Sequence, residues 1–178
     1  EKDKIILVKI DSNAGGNLAR GMITRRQLDQ IDSELAGIEN LEDYTIVVLL
    51  HHHVFKVSKS DFLKIRWREK SIFGSILDKS KALVDANMFA TWLQQRHIKY
   101  VLHGHKHVPY FMNKNGTYYI SAGSATGGLK ESESHYYSYN VLRYDYMDKK
   151  MKTCLIFYDD NKKAERKRVE VYLMEEDK

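Results

Sequence analysis

Cysteine and proline are almost absent from this 178-residue chain, with one of each. A lone Cys154 excludes an intrachain disulfide and any cysteine-based metal cluster, and suits a reducing compartment such as the cytoplasm. Its Thr153-Cys154-Leu155-Ile156 setting is that of a buried strand residue. With Pro109 as the only proline, no proline-rich linker divides the chain. No apolar run approaches the roughly 18 residues of a membrane span; Ile5 to Val8 and Ile46 to Leu50 are strand-sized. Neither charge sign dominates. Lys and Arg total 29 against 24 Asp and Glu, and the resulting +5 does not by itself argue for nucleic acid. A content of 43% hydrophobic residues excludes disorder. It is enough for one sizeable core, so residues 1–178 read as a single unit.

What is present is an ordered alternation. Lys4 to Ile10 is an aliphatic strand covered on both faces. Asp11 to Asn17 is turn-forming. Thr24 with Gln27 three residues later has the form of a capping box. Leu28, Ile31, Leu35 and Ile38 follow at helical spacing, and Gly37 lies near the end. Tyr44 to Leu50 is a second apolar strand. Val54 to Leu77, basic but carrying Phe55, Phe62, Trp67 and Phe73, reads as loop and irregular helix. Lys81 to Arg96 is a helix with Leu83, Ala86, Ala90 and Leu93 on one side, and Tyr100 to Leu102 a third strand. Thr117 to Ala122, Tyr136 to Tyr146, Met151 to Tyr158 and Arg166 to Leu173 then form a tyrosine-rich antiparallel tail divided by turn signals. The fold class is α/β with a mixed sheet and an antiparallel C-terminal part.

Most of the histidines sit at the ends of two strands. His51, His52 and His53 follow the second; His103, His105 and His107 follow the third. Ligands gather beyond the carboxyl ends of strands in open α/β sheets, and neutral imidazole is the commonest metal ligand. In an extended segment His105 and His107 share one side while Lys106 points to the other. One ion, or one of each of an adjacent pair, suits that spacing. A solvated loop is the bland alternative for the triple histidine. His97 reads as a surface residue.

The run Ile46 to His52, followed some fifty residues later by Val101-Leu102-His103-Gly104-His105-Lys106-His107, resembles the last two motifs of the calcineurin-like metallophosphoesterases. The Ile10-Asp11-Ser12-Asn13 stretch, the Thr24 to Leu35 helix and Ile120 to Ser124 follow that family's course. The resemblance implies an αββα sandwich and a phosphoester hydrolase with two divalent ions, drawn from Mn, Fe, Zn, Ni or Co. It also implies that His51 and His105 ligate one ion and His107 the other, with His52 the alternative if the register slips by one. His103 matches no ligand of the family, and His135 is a weak candidate for substrate contact.

The family's Asp-x-His, Gly-Asp-x-x-Asp and Gly-Asn-His motifs do not occur. Neutral imidazoles offset none of the charge of two divalent ions, and Asp11, Asp85 and Asp145 stand in no motif that supplies it. The expectation is therefore the C-terminal half of a longer enzyme. Such a half holds metal weakly and turns over phosphoesters negligibly without the missing N-terminal half. It also bares a sheet edge prone to self-association. A catalytically dead binding or scaffold module and a mononuclear zinc-binding domain are the competing readings.

Overall fold

The computed structural model describes residues 4–13, 20–55, 83–105, 107, 109–124, 129–131, 134–148, 150–159 and 166–172. The basic stretch expected to be loop and irregular helix lies, apart from Val54 and Phe55, outside the described residues.

Strand β1 (Ile5–Lys9) leads to helix α1 (Arg25–Ala36), one 3₁₀ turn (Leu41–Asp43) and β2 (Thr45–Leu49). Helix α2 (Ala86–Gln95) and β3 (Tyr100–His103) follow, then β4 (Tyr110–Lys114) and β5 (Thr117–Ser121). The remainder is β6 (Leu129–Glu131), β7 (Ser134–Asp145), β8 (Lys150–Asp159) and β9 (Arg166–Tyr172). A five-stranded sheet has the order β1-β2-β3-β5-β4, parallel from β1 to β5, with β4 antiparallel. The second sheet, β6-β7-β8-β9, is wholly antiparallel.

Local signals account for the element ends. The Thr24 hydroxyl accepts from the Gln27 backbone N–H at 3.3 Å, and the Gly37 N–H closes α1 on the carbonyls of Glu34 and Leu35. The Gln27 amide turns away from the cap. In the orientation that satisfies both its groups, it donates to the Asp11 carbonyl at 3.3 Å and accepts from the Asp11 N–H at 3.0 Å. Helix α2 starts later than its periodicity predicts, at Ala86, and buries Phe89, Trp92 and Leu93. Strand β4 is not predicted by the apolar pattern. Its hairpin to β5 turns at Asn115 and Gly116, both with positive φ (53° and 79°). This is the two-residue geometry that an Asn-Gly pair favours.

Period-two alternation separates two cores. Val8, Val48, Val101 and Tyr119 face α1 and α2, packing on Leu28, Leu35, Phe89 and Leu93. Val47, Tyr100, Tyr118 and Ile120 face the second sheet and pack on Met151 and Leu155. Each such fully buried side chain contributes about 1.5–3 kcal/mol relative to exposure. Polar contacts join the sheets. The Met151 N–H donates to the Tyr100 hydroxyl at 3.0 Å, the Asn140 amide donates to the Ser121 carbonyl at 3.1 Å, and Thr45 and Tyr144 share a hydroxyl hydrogen bond. The described layers are therefore helices, mixed sheet and antiparallel sheet. A helical layer over the outer face of the second sheet is not among them.

Strand β1 lies at an edge of the five-stranded sheet, and Leu7 on it is 64% exposed. No helix among the described residues is long and apolar enough to cross a membrane.

Candidate metal centre

Because β1, β2 and β3 run parallel as neighbours, the segments that follow them meet at one end of the sheet. The ladder continues past the strands: the Leu50 N–H donates to the Leu102 carbonyl and the Gly104 N–H to the His51 carbonyl, each at 3.0 Å. The second bond carries His105 back over His51. His105 itself has a φ of +73°, a left-handed conformation that non-glycine residues rarely adopt. The result is a nitrogen-to-nitrogen approach of 3.1 Å between His105 Nδ1 and His51 Nε2.

His52 completes a trio. One ring nitrogen each from His51, His52 and His105 lies within 4.8 Å of the others. Nitrogens around one tetrahedral zinc stand roughly 3.3 Å apart, against separations of up to 4.8 Å within the trio. His53 stacks on His105, with ring centroids 5.7 Å apart and planes 20° apart. His51 is exposed, whereas His52 and His53 are each 1% exposed.

The surroundings favour neutral imidazole. Burial, with a smaller contribution from the neighbouring His51, lowers the pKa of His52 below the ordinary histidine value. His103 is also buried. Desolvation lowers its pKa to about 4, against a smaller opposing effect of the Gly104 carbonyl and with a small further lowering from His105. The Tyr110 hydroxyl stands 3.2 Å from His103 Nε2, which places His103 in the packing between β3 and β4. Neutral rings keep a lone pair for a cation. The Nε2 atom of His52 is buried and has no hydrogen-bond partner among the described residues. That orphaned acceptor and a donor set of three imidazoles fit a divalent transition metal such as Zn, Cu, Fe or Ni.

The expected ligands are placed unequally. His51 and His105 come together; His107 is exposed and is not a member of the trio. His107 also has a positive φ, 56°. Neither His105 nor His107 is thus extended, and the argument that both rings share a side of an extended segment does not describe them. His97 is exposed just after α2, and His135 lies in β7 opposite Lys130. No described carboxylate belongs to the trio. Asp11 accepts from the Asn13 N–H at 2.9 Å, and Asp145 accepts from the Met147 N–H and pairs with Lys152.

Two neighbours of His52 carry no sequence signal for a site. The Ser12 hydroxyl oxygen lies 3.0 Å from His52 Nδ1 and accepts from the His52 backbone N–H at 3.2 Å. Gly21 presses on the ring: a β-carbon there would stand 2.4 Å from His52 Cγ. In sequence Ser12 reads as part of a turn in a stretch that follows the resembled family's course, with no role of its own, and Gly21 carries no reading.

No protein-family model matches this chain, and no curated protein matches it. Among solved structures, it is similar to wild-type Vps29 from Entamoeba histolytica complexed with zinc. The identity is 14%, the TM-score 0.32, and the alignment covers 93% of this chain and 98% of that one. Vacuolar protein sorting 29 from Cryptosporidium parvum aligns at 13% identity and a TM-score of 0.32, covering 96% and 98%. A Streptococcus pneumoniae protein described as a predicted phosphoesterase aligns at 12% and 0.29, covering 93% and 97%. TM-scores of this size do not establish a common fold.

Proposed function

We propose that this chain is the histidine-bearing part of a metal-dependent phosphoester hydrolase. The observation that carries the reading is the convergence of His51, His52 and His105 at the carboxyl ends of the adjacent parallel strands β2 and β3. The strand-end His51-His52 and the first histidine of the Gly-His-x-His, His105, support the resemblance to the calcineurin-like metallophosphoesterases. A bound divalent ion supplies Lewis acidity toward phosphoryl oxygens and toward water. The residues of this chain hold and orient it: His51 and His105 from the two strand ends, His52 from within the core. His107, adjacent in sequence and exposed, is assigned to a second ion in the complete centre.

The described trio is all imidazole, so the carboxylates that neutralise a two-ion centre come, on this reading, from outside the described residues. The exposed edge at β1 is the place where a further segment, or a second copy of the chain, pairs. Alone, the chain holds metal weakly and hydrolyses phosphoesters negligibly. Calorimetric titration of the chelator-treated 178-residue protein with Zn(II) and Mn(II), beside assays with aryl phosphate mono- and diesters, tests this. Weak binding with negligible turnover is the expected result. Absence of any binding overturns the metal reading, and full turnover by the chain overturns the division between segments.

The lack of a carboxylate in the trio favours one second reading, a mononuclear metal module whose ion serves structure or binding. Chelator then lowers the melting temperature strongly, and no supplied segment brings hydrolysis.

A further inference from the structure

We propose that Ser12 is a positioning residue of this centre: its hydroxyl clamps His52 at Nδ1 and reserves Nε2 for a divalent ion shared with His51 and His105. The inference rests on the metal reading above.

Three observations carry it. Ser12 and His52 are each 1% exposed, so water does not compete for the Oγ–Nδ1 contact of 3.0 Å. The same oxygen accepts from the His52 backbone N–H at 3.2 Å, which anchors the hydroxyl on the residue it orients. Gly21 also presses on the root of the ring, where even a methyl group would overlap Cβ, Cγ and Nδ1 of His52. The loops bearing the two walls are themselves bonded, Met22 N–H to the Ser12 carbonyl at 3.0 Å. With Nδ1 engaged and the ring walled in, the atom left over is Nε2, buried and without a hydrogen-bond partner among the described residues.

The chemistry of a hydroxyl explains why serine suits this place. A ligating imidazole gives its lone pair at one nitrogen and keeps its proton on the other. With metal at Nε2, Nδ1–H donates to the Ser12 oxygen. Without metal, the proton can sit on Nε2, and Ser12 then donates to Nδ1. Donor and acceptor in one group, the hydroxyl serves both tautomers without moving the ring.

Two-bond ¹H–¹⁵N spectra of histidine-labelled protein, recorded during Zn(II) titration, are the test, together with Zn(II) affinity by calorimetry. In the wild-type chain, Zn(II) should shift Nε2 of His52 along with ring nitrogens of His51 and His105, while Nδ1 of His52 keeps its proton. Ser12→Ala should weaken Zn(II) binding tenfold to a hundredfold, the usual loss when a group supporting a ligand is removed. It should also leave the His52 resonances averaged between tautomers. Ser12→Thr, which keeps the hydroxyl, should restore both. If Ser12→Ala does not fold, Ser12→Cys keeps nearly the same volume with a much weaker hydrogen bond and should fall between the two.

Shifts at His51 and His105 without His52 would overturn this proposal alone. So would a Ser12 variant with unchanged affinity and unchanged His52 spectrum. Absence of a shift at every histidine would remove the metal reading itself.

Discussion

The two ends of the parallel sheet solve opposite problems. At the amino ends of β2 and β3, charge is matched. Asp32 on α1 pairs with the Arg96 guanidinium and accepts from the Trp92 indole N–H at 3.0 Å, tying α1 to α2. A cleft of about 850 Å³ opens beside this clamp, lined by Leu35, Leu41, Tyr44 and Ile46 as well as the pair. At the carboxyl ends, imidazoles crowd one another and His52 Nε2 is buried without a partner among the described residues. Burying a polar atom with nothing to bond costs stability. The cleft and the imidazole cluster thus lie at different ends of the sheet.

Four experiments would break or sharpen this contrast. The largest effect belongs to the histidine end. His105→Ala should lower Zn(II) affinity by more than the hundredfold ceiling usual for a supporting residue. The metal-free protein should keep its melting temperature to within a few degrees, since the change removes a crowded ring. Calorimetry and thermal melts check both; unchanged affinity would remove His105 from the centre.

Between the two ends lies Tyr119, 2% exposed on β5, where burial raises its hydroxyl pKa to about 12 despite a small opposing effect of Thr117. Its folded pKa lies above the unfolded value near 10. Between those values the folded chain holds a proton that the unfolded chain has lost, so stability falls as pH rises. The two-unit gap corresponds to about 3 kcal/mol, lost progressively from pH 10 to 12. Denaturant melts of wild-type and Tyr119→Phe across that range isolate it, since the variant should lack this component.

At the matched end, Asp32→Ala should destabilise by about 2 kcal/mol, the scale of hydrogen bonds to a charged group, without altering Zn(II) affinity. A loss of affinity would show that the ends are coupled. The smallest effect is Thr24→Ala, about 1 kcal/mol from the lost α1 cap, measured by urea denaturation, again with metal binding untouched.

Much of the secondary structure is legible locally. The β1, β2 and β3 stretches show as aliphatic runs, α1 shows through Thr24 and its spacing, and β7 to β9 show through alternation between turn signals. Strand β4 was hidden because Tyr110-Phe111-Met112-Asn113-Lys114 does not alternate cleanly. The Asn115-Gly116 pair was the available signal, since such a turn implies a strand on each side. At the centre, the placing of histidines at strand ends was legible, and so were His51 and His105 as candidates. His52 was legible only as the alternative to His51, whereas the grouping of all three rings, the left-handed turns at His105 and His107, and the hold of Ser12 on His52 were not. Each depends on partners about 40 or more residues away, or on a backbone angle that no residue-type pattern dictates at histidine.

Sequence alone thus determined most of the described strands and helices, and that imidazoles would gather after two strands. Those outcomes rest on side-chain periodicity and capping, which act over a few residues. Which nitrogens meet was decided only by tertiary structure: by the parallel register of β2 with β3, the Gly104-to-His51 bond that folds His105 back, and the walls of Ser12 and Gly21 around one ring. A shared ion needs ligand atoms placed within a few ångströms, and that precision is reached only when distant backbone segments lock together.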